Sequence, residues 1–328
     1  MRTGTRWPFW LPPFAVCLGM ALAGTPAGAQ SYPSKPVRMI IPFSPGGGSD
    51  VLARFIGPRL ADRLGQPVVI DNRPAASGVV GADLVAKAAP DGHTLLGTTV
   101  TFVINGTLQK RLPYDAFKDF APITQAISSP FGLLVHPSVP AKTVKEFVAY
   151  AKANAGKLRY GSSGPGSSPH LAAELFNSMA GLQMDHIPYK GISPAITALL
   201  GNEVNLAFSN LFSTLGHWKS GRLRLVAHGG PKRVEAFPEI PTIAESGMPG
   251  FESQNWYGYA ATAKTPRPIV EKLHREIAAV LNLPEIRRTL VAQGNDVVAS
   301  TPQEFARTIK ADSDRWGALG RKLGISLD

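Results

Sequence analysis

The stretch Pro42-Phe43-Ser44-Pro45-Gly46-Gly47-Gly48-Ser49-Asp50 decides how the rest of the chain is interpreted. Residues 37 to 43 are apolar and extended in pattern, and apolar residues after Asp50 recur at the spacing of one buried helix face. Three glycines between a strand and a helix permit a tight turn and let a ligand approach the main chain. The unpaired N–H groups of the first helical turn then favour an anion. Ser49 or Asp50 is expected to cap this helix, and a purely structural turn is the alternative.

A second glycine and serine turn has the same context. Residues Gly161-Ser162-Ser163-Gly164-Pro165-Gly166-Ser167-Ser168-Pro169-His170 follow a short strand and precede a helix with one apolar face. Two strand-turn-helix anion sites in one chain are explained if each belongs to a separate lobe and the two face each other. We therefore predict a cleft between two lobes, in which His170 either contacts the ligand or packs.

The first 29 residues have the features of a secretory signal peptide. They contain Arg2 and Arg6, a short apolar run and a small-residue cleavage site at Ala27-Gly28-Ala29. We expect Gln30 to be the first mature residue. The only cysteine, Cys17, lies in this leader, so the mature protein depends on its apolar core and not on disulfides.

Composition and motifs argue against several classes of protein. The net charge is +11, but the basic residues are scattered, which speaks against a nucleic-acid partner. The histidines form no close ligand pair, so neither a metal nor another cofactor is expected. No Gly-Lys-Ser/Thr follows Gly48, which excludes a P-loop. A serine hydrolase remains a weak alternative, because Pro165 occupies the last glycine position of a nucleophile elbow.

Strand-like and helix-like segments alternate after residue 31, which indicates an α/β fold with largely parallel sheets. Strands are predicted near residues 37–43, 68–71, 94–99, 131–136, 159–161, 185–188, 204–208, 223–227 and 256–262. After the helix that follows Asp50, the clearest predicted helices are residues 144–154, 169–180, 194–200, 268–282, 284–293 and 302–323.

Seven segments in order resemble the Bug family, the periplasmic binding proteins of tripartite tricarboxylate transporters. They are YPSKPVRMIIPFSPGGGSDVLAR, LGQPVVIDNRPAASGVVGADLVAKAAPDGHTLL, LPYDAFKDFAPI, LRYGSSGPGSSPHLAAELF, HIPYKGISPAITALLGNEVNLAF, PEIPTIAESGMPGFE and WYGYAA. The resemblance implies a two-lobed periplasmic binding protein of the Venus flytrap type, each lobe a mostly parallel sheet flanked by helices. It also implies a non-enzymatic, monomeric protein that binds a small carboxylate in the periplasm and delivers it to membrane permease subunits.

The resemblance assigns candidate ligand-binding residues to the two loops. Thr98 and Thr99 join them because they end a strand at the edge where open parallel sheets bind ligands. Tyr189 lies in the family's PYKG turn and has packing as its alternative, while Ser209 and Asn210 are candidates for the far end of the ligand. The complete set is Ser44, Pro45, Gly46, Gly47, Gly48, Ser49, Asp50, Thr98, Thr99, Ser162, Ser163, Gly164, Gly166, Ser167, His170, Tyr189, Ser209 and Asn210.

The predicted domains are a signal peptide at residues 1–29, a first lobe of residues 30–128 plus 257–328, and a second lobe of residues 129–256. Hinge crossings are expected near residues 126–131 and 254–259. The chain departs from the family pattern at Ala75-Ala76-Ser77, which replaces a glycine-rich turn. Dicarboxylates, acidic amino acids, aromatic acids and tricarboxylates all fit such a cleft, and a role as the ligand-sensing partner of a signalling receptor is the alternative to transport.

Overall fold

A computed structural model describes residues 1, 4, 5, 7, 8, 32 to 323 and 327. The predicted leader and its cleavage site lie almost wholly outside these residues. The chain from Pro33 onward forms one compact unit. Within the described part of the chain, no helix combines the length and apolar composition needed to cross a bilayer.

Strands and helices alternate along this unit. The strands are β1 (Val37–Ile41), β2 (Val68–Asn72), β3 (Thr94–Thr99), β4 (Phe120–Val135), β5 (Arg159–Ser162), β6 (Asp185–Pro188), β7 (Leu206–Asn210), β8 (Arg224–His228), β9 (Gln254–Thr262) and β10 (Asp296–Val297). The helices are α1 (Gly48–Leu64), α2 (Val79–Ala86), α3 (Val100–Leu108), α4 (Val144–Ala153), α5 (Ser168–Ala180), α6 (Ile192–Leu200), α7 (Leu211–Lys219), α8 (Arg267–Leu281), α9 (Pro284–Ala292) and α10 (Pro302–Leu323). A short 3-10 turn covers Ala76–Gly78.

The predicted α/β class is confirmed, and the strand pairing is mixed. The main order of strands is β2-β1-β3-β9-β4-β7-β5-β6. Parallel pairs form within β2-β1-β3 and within β7-β5-β6, whose strands are joined through helices. Antiparallel pairs form wherever β4 or β9 takes part, because these two strands carry the chain between the two parallel groups. Parallel pairing therefore holds for the outer strands of each lobe and not for the crossing strands.

The long strand β4 connects the two groups. Its segment from Phe120 to Pro130 pairs with β9, and its segment from Phe131 to Val135 pairs with β7 and β8. The sequence predicted only the second segment, because two prolines and a run of polar residues weaken the strand pattern of the first. The expected hinges fall within these paired strands, and the domain bounds remain a prediction.

Each parallel group has its own apolar core. An aromatic cluster of Phe147, Phe176, Phe208 and Phe251 lies beside β5 and β7. A core of the first group contains Phe102, Phe120, Trp256, Phe305 and Trp316 next to β3 and β9. Separately packed cores joined by two crossing strands produce the two-lobed fold.

The start of α1 differs from the predicted cap. The N-cap is Gly47, which has no side chain, so Ser49 and Asp50 lie inside the first turn. The Asp50 carboxylate nevertheless accepts a hydrogen bond from the Gly46 N–H at 2.9 Å. An acidic side chain in the first turn also interacts favourably with the helix dipole.

Candidate functional site

A cavity lies where the first loop meets the second group of strands. Its walls combine backbone, hydroxyl, amide and aromatic groups. The lining residues are Phe43, Gly47, Gly48, Ser49, Thr99, Thr101, Phe131, Ser163, Ser168, Pro169, Ile192, Asn210, Asn255 and Tyr257. No aspartate, glutamate, lysine, arginine or histidine is found among these described lining residues.

Five helices begin at this cavity. Gly48 and Ser49 open α1, and Thr99 and Asn210 are the N-caps of α3 and α7. The cavity also contacts the first residues of α5 and α6. The first N–H groups of each helix have no carbonyl partner within the helix, because no helical turn precedes them. The helix dipole also gives this end a partial positive charge. The cavity therefore attracts an anion without a cationic side chain.

The first loop is held so that the backbone of Gly48 faces polar groups. A Cβ atom on Gly48 would lie 2.1 Å from the Tyr257 hydroxyl and 2.7 Å from the Asn210 Nδ2. No side chain fits at such distances, which explains glycine at this position. Gly46 adopts a φ of +77°, the left-handed region that glycine reaches without strain.

The Asp50 side chain holds the first loop in place through hydrogen bonds. Its carboxylate accepts hydrogen bonds from the Gly46 N–H and from the Arg54 Nε, each at 2.9 Å. Burial acts to raise the pKa of Asp50, but hydrogen bonds from Arg54 and Gly46 outweigh it and lower that pKa. Because these bonds engage both carboxylate oxygens, Asp50 positions the loop and does not line the cavity.

The second loop is stabilised by its own serines. Ser167 Oγ donates to the Gly164 carbonyl at 2.7 Å, and the Gly166 N–H donates to His170 Nδ1 at 3.1 Å. Ser162 Oγ accepts from the Gly164 N–H at 3.1 Å. These internal bonds turn two other serines of the second group, Ser163 and Ser168, towards the cavity.

Hydrogen bonds join the two groups of strands around the cavity. Ser193 Oγ donates to the Pro45 carbonyl at 2.8 Å, and Ser77 Oγ donates to the Pro165 carbonyl at 2.8 Å. The Thr101 and Ser168 hydroxyls lie 3.1 Å apart. The first loop is thus bonded to α6 and the second loop to the 3-10 turn, so the two groups of strands are in contact around the cavity.

Comparison with known proteins assigns the family. The model of the tripartite tricarboxylate transporter family receptor matches residues 52–325. The chain belongs to this receptor family. BugT of Bordetella pertussis is 36% identical over 312 residues, which are 94% of this chain and 96% of BugT. The predicted resemblance to the Bug family is therefore confirmed.

Two solved structures resemble this family member along most of its length. An R. palustris protein solved with adipate has a TM-score of 0.87 and 34% identity, covering 90% of this chain and 99% of that one. MatC from Rhodopseudomonas palustris, solved with bound malate, has a TM-score of 0.84 and 30% identity, covering 88% of this chain and 99% of MatC.

The predicted ligand residues of this receptor occupy several kinds of position. Six line the cavity: Gly47, Gly48, Ser49, Thr99, Ser163 and Asn210. Gly164 and Tyr189 line a neighbouring cavity of about 590 Å³, together with Ser163. Eight more lie in or beside the loops without lining the main cavity: Ser44, Pro45, Gly46, Asp50, Ser162, Gly166, Ser167 and His170. Ser209 lies on β7 and does not line the main cavity. Direct ligand contact by any of these residues stays a prediction.

Thr98 is placed differently from its neighbour. It lines a separate cavity of about 980 Å³ with Phe102, Phe117 and Ile309. Successive side chains of a strand point to opposite faces of the sheet, so Thr98 and Thr99 cannot both face the same cavity. Only Thr99 is directed towards the cleft.

Eight cavity residues lie outside the predicted set: Phe43, Ser168 and Pro169 of the two quoted turns, and Thr101, Phe131, Ile192, Asn255 and Tyr257. Asn255 and Tyr257 lie two residues apart on β9 and share a face. Asn255 Oδ1 accepts from the Val100 N–H at 3.3 Å, and the Asn255 side chain hydrogen-bonds to the Tyr257 hydroxyl. For Tyr257 the available signal was the WYGYAA segment, which carries the family resemblance; this segment begins after Asn255.

A serine and histidine pair lies under the second loop but is not arranged for catalysis. Ser162 Oγ and His186 Nε2 are 2.6 Å apart, and the His186 ring stacks on His170 with centroids 4.1 Å apart. Burial, with His170 nearby, lowers the pKa of His186 to about 4. Ser162 is fully buried and does not line the cavity, so its hydroxyl is not accessible to a substrate.

Proposed function

We propose that this protein is a periplasmic solute-binding receptor that captures a small carboxylate in the cavity and delivers it to the permease of a tripartite transporter. It carries out no chemical step on its ligand. The observation that carries the proposal is the convergence of five helix N-termini on a cavity whose described lining contains no charged side chain.

The chemistry of a carboxylate suits this cavity. A carboxylate accepts several hydrogen bonds from N–H and O–H donors, each contributing about 1.5–3 kcal/mol when charge-assisted. After association costs, about four such bonds are compatible with an affinity in the micromolar range. The R. palustris protein with adipate and MatC with malate support the same ligand class.

Ligand capture is proposed to couple to lobe closure. We propose lobes of residues 30–128 plus 257–328 and of residues 129–256, with hinges in β4 and β9. Helices α1 and α3 follow strands of the first group, while α5, α6 and α7 follow strands of the second. A carboxylate between them contacts both sets of donors only in the closed state, so it favours closure.

A ligand screen tests the proposal. Purified protein is mixed with dicarboxylates, tricarboxylates, acidic amino acids and aromatic acids, and binding is measured by thermal shift and calorimetry. The expected result is a raised melting temperature with a subset of these acids, each recovered unchanged. Native mass spectrometry identifies any ligand that remains bound after purification. A protein that binds none of the acids, or converts one of them, would contradict the proposal.

A loop variant links binding to the cavity. Gly47 has a φ of −75°, and a Cβ there meets Ile192 at 3.4 Å, an ordinary contact. Gly47→Leu is expected to fold and to place its side chain in the cavity, abolishing ligand binding. The matched control is Gly216→Leu, where a Cβ meets nothing within 4 Å. Equal affinity of Gly47→Leu and wild type would remove this loop from the site.

Export and assembly are part of the proposal. We propose that residues 1–29 are a signal peptide and that the mature protein is a periplasmic monomer. Mass spectrometry of the protein from a periplasmic extract is expected to give Gln30 as the N-terminus, and light scattering a single-chain mass. Deletion of the gene is expected to abolish uptake of the bound acid without abolishing a signalling response to it. The opposite pattern would indicate a sensing partner instead.

A further inference from the structure

Asn210 is an N-cap residue whose side chain does not cap its helix. It ends β7 and precedes α7, and no cap hydrogen bond from its side chain occurs in this described segment. Asparagine at an N-cap ordinarily accepts a hydrogen bond from the second or third helical N–H. The side chain lines the cavity instead. Its position is therefore not explained by the local stability of α7.

The amide of Asn210 is buried and incompletely paired. The residue is 3% exposed, and its Oδ1 has no hydrogen-bond partner among the residues that the structure describes. Its Nδ2 lies against Gly48, at the N-terminus of α1 where the carboxylate is expected. An unpaired buried oxygen costs free energy, so a partner for it in the ligand complex stabilises that complex.

A second amide in the same cavity provides the contrast. Asn255 also lines the cavity, but its Oδ1 accepts a hydrogen bond from the Val100 N–H at 3.3 Å. Of the two amides, only Asn210 retains an acceptor without a protein partner. With the amide nitrogen beside Gly48, the oxygen is the group of Asn210 that is left to accept a hydrogen bond from a ligand.

We infer that Asn210 is a specificity-determining residue, which selects carboxylates that carry a hydrogen-bond donor close to the carboxylate group. Such a donor is a hydroxyl or an ammonium group on the neighbouring carbon. The amide nitrogen assists the α1 N-terminus in holding the carboxylate, and the amide oxygen accepts the ligand's donor. This assignment places Asn210 at the carboxylate end of the ligand and replaces the far end expected from the sequence. This inference rests on the proposed carboxylate function and narrows its ligand class to hydroxy and amino acids.

Matched ligand pairs test the inference. Calorimetry compares succinate with malate and aspartate, and propionate with lactate and alanine, because each set differs only in the group beside the carboxylate. The expected result is that at least one substituted acid binds about 10- to 100-fold more tightly than its unsubstituted partner. If the unsubstituted acids bind as tightly as the substituted ones, the inference is overturned and the proposed function stays intact. Absence of binding by every acid here and in the wider screen overturns both.

Variants assign the selectivity to the amide. Asn210→Leu is expected to weaken the binding of every acid and to reduce the ratio of affinities within each pair to about one. The matched control, Asn282→Leu, changes an exposed amide at the end of α8 and is expected to leave every ratio unchanged. Circular dichroism establishes that both variants are folded. A ratio that persists in Asn210→Leu would overturn the assignment, and the wild-type comparison remains decisive if this variant does not fold.

Discussion

Replacing Gly48 with alanine is expected to damage both stability and ligand binding. The added Cβ would lie 2.1 Å from the Tyr257 hydroxyl, 2.6 Å from the Tyr257 Cζ and 2.7 Å from the Asn210 Nδ2. Carbon atoms in contact need about 3.5 Å, so the loop or the tyrosine must move by about 1 Å. Tyr257 is 3% exposed and packs edge-on against Phe212, with ring centroids 5.6 Å apart, which restricts its movement.

The magnitudes follow from this geometry. Overpacking of a buried position costs typically about 1–3 kcal/mol of unfolding free energy. A shift of the loop also moves the first N–H groups of α1, and loss of one charge-assisted hydrogen bond corresponds to about 10- to 100-fold weaker binding. Urea denaturation gives the first quantity. Titration calorimetry with an acid identified by the screen gives the second.

The control for Gly48→Ala is Gly216→Ala. Gly216 lies inside α7, where a Cβ meets nothing within 4 Å, so alanine is expected to raise stability by about 0.5–1 kcal/mol and to leave affinity unchanged. If Gly48→Ala retains wild-type stability and affinity, then Gly48 does not lie against Tyr257 and the α1 N-terminus is not part of the site.

Three further perturbations test other contacts. Ala76 has a φ of +45°, so Ala76→Gly is expected to raise the unfolding free energy by up to about 1 kcal/mol in urea denaturation, and a loss of stability would argue against this strain. Ser193→Ala removes the bond to the Pro45 carbonyl across the cleft and is expected to weaken ligand binding by about 2- to 10-fold in calorimetry, whereas tighter binding would contradict its role in closure. Burial lowers the pKa of His228 to about 4 from an ordinary value near 6.5, so the unfolded chain takes up this proton first as the pH falls. Stability is therefore expected to decrease between about pH 6.5 and 4, by on the order of 3 kcal/mol from this residue, and His228→Asn is expected to flatten that pH profile.

The sequence predicted the elements whose patterns are local. Regular apolar spacing and helix-opening prolines placed α8, α9 and α10 within a residue of their observed bounds. Helices α2, α3 and α7 were not predicted. In α3, β-branched residues dominate the sequence Val100–Leu108, and burial between β3 and α10 overrides their weak helix propensity.

The site was predictable to the extent that it consists of loops. Glycine and serine turns identified Gly47, Gly48, Ser49 and Ser163, since such turns expose backbone donors. Phe131, Asn255 and Tyr257 come from the crossing strands, and their arrival at the cavity depends on the antiparallel pairing of β4 with β9. No local pattern encodes that pairing, so the sequence did not assign these residues to the cavity, although Tyr257 lies in a segment that carries the family resemblance.

The absence of a charged partner at the described cavity wall has a consequence for ligand release. A buried arginine on one lobe would pair with the carboxylate without help from the other lobe. It would therefore hold the ligand in the open protein as well as in the closed one. Here the positive field is the sum of partial charges from α1 and α3 on one side and from α5, α6 and α7 on the other. In the lobe opening that we propose, these two sets separate and water enters, which screens each of them. Affinity therefore depends on closure, and a receptor that must release its ligand to a permease is well served by such a dependence.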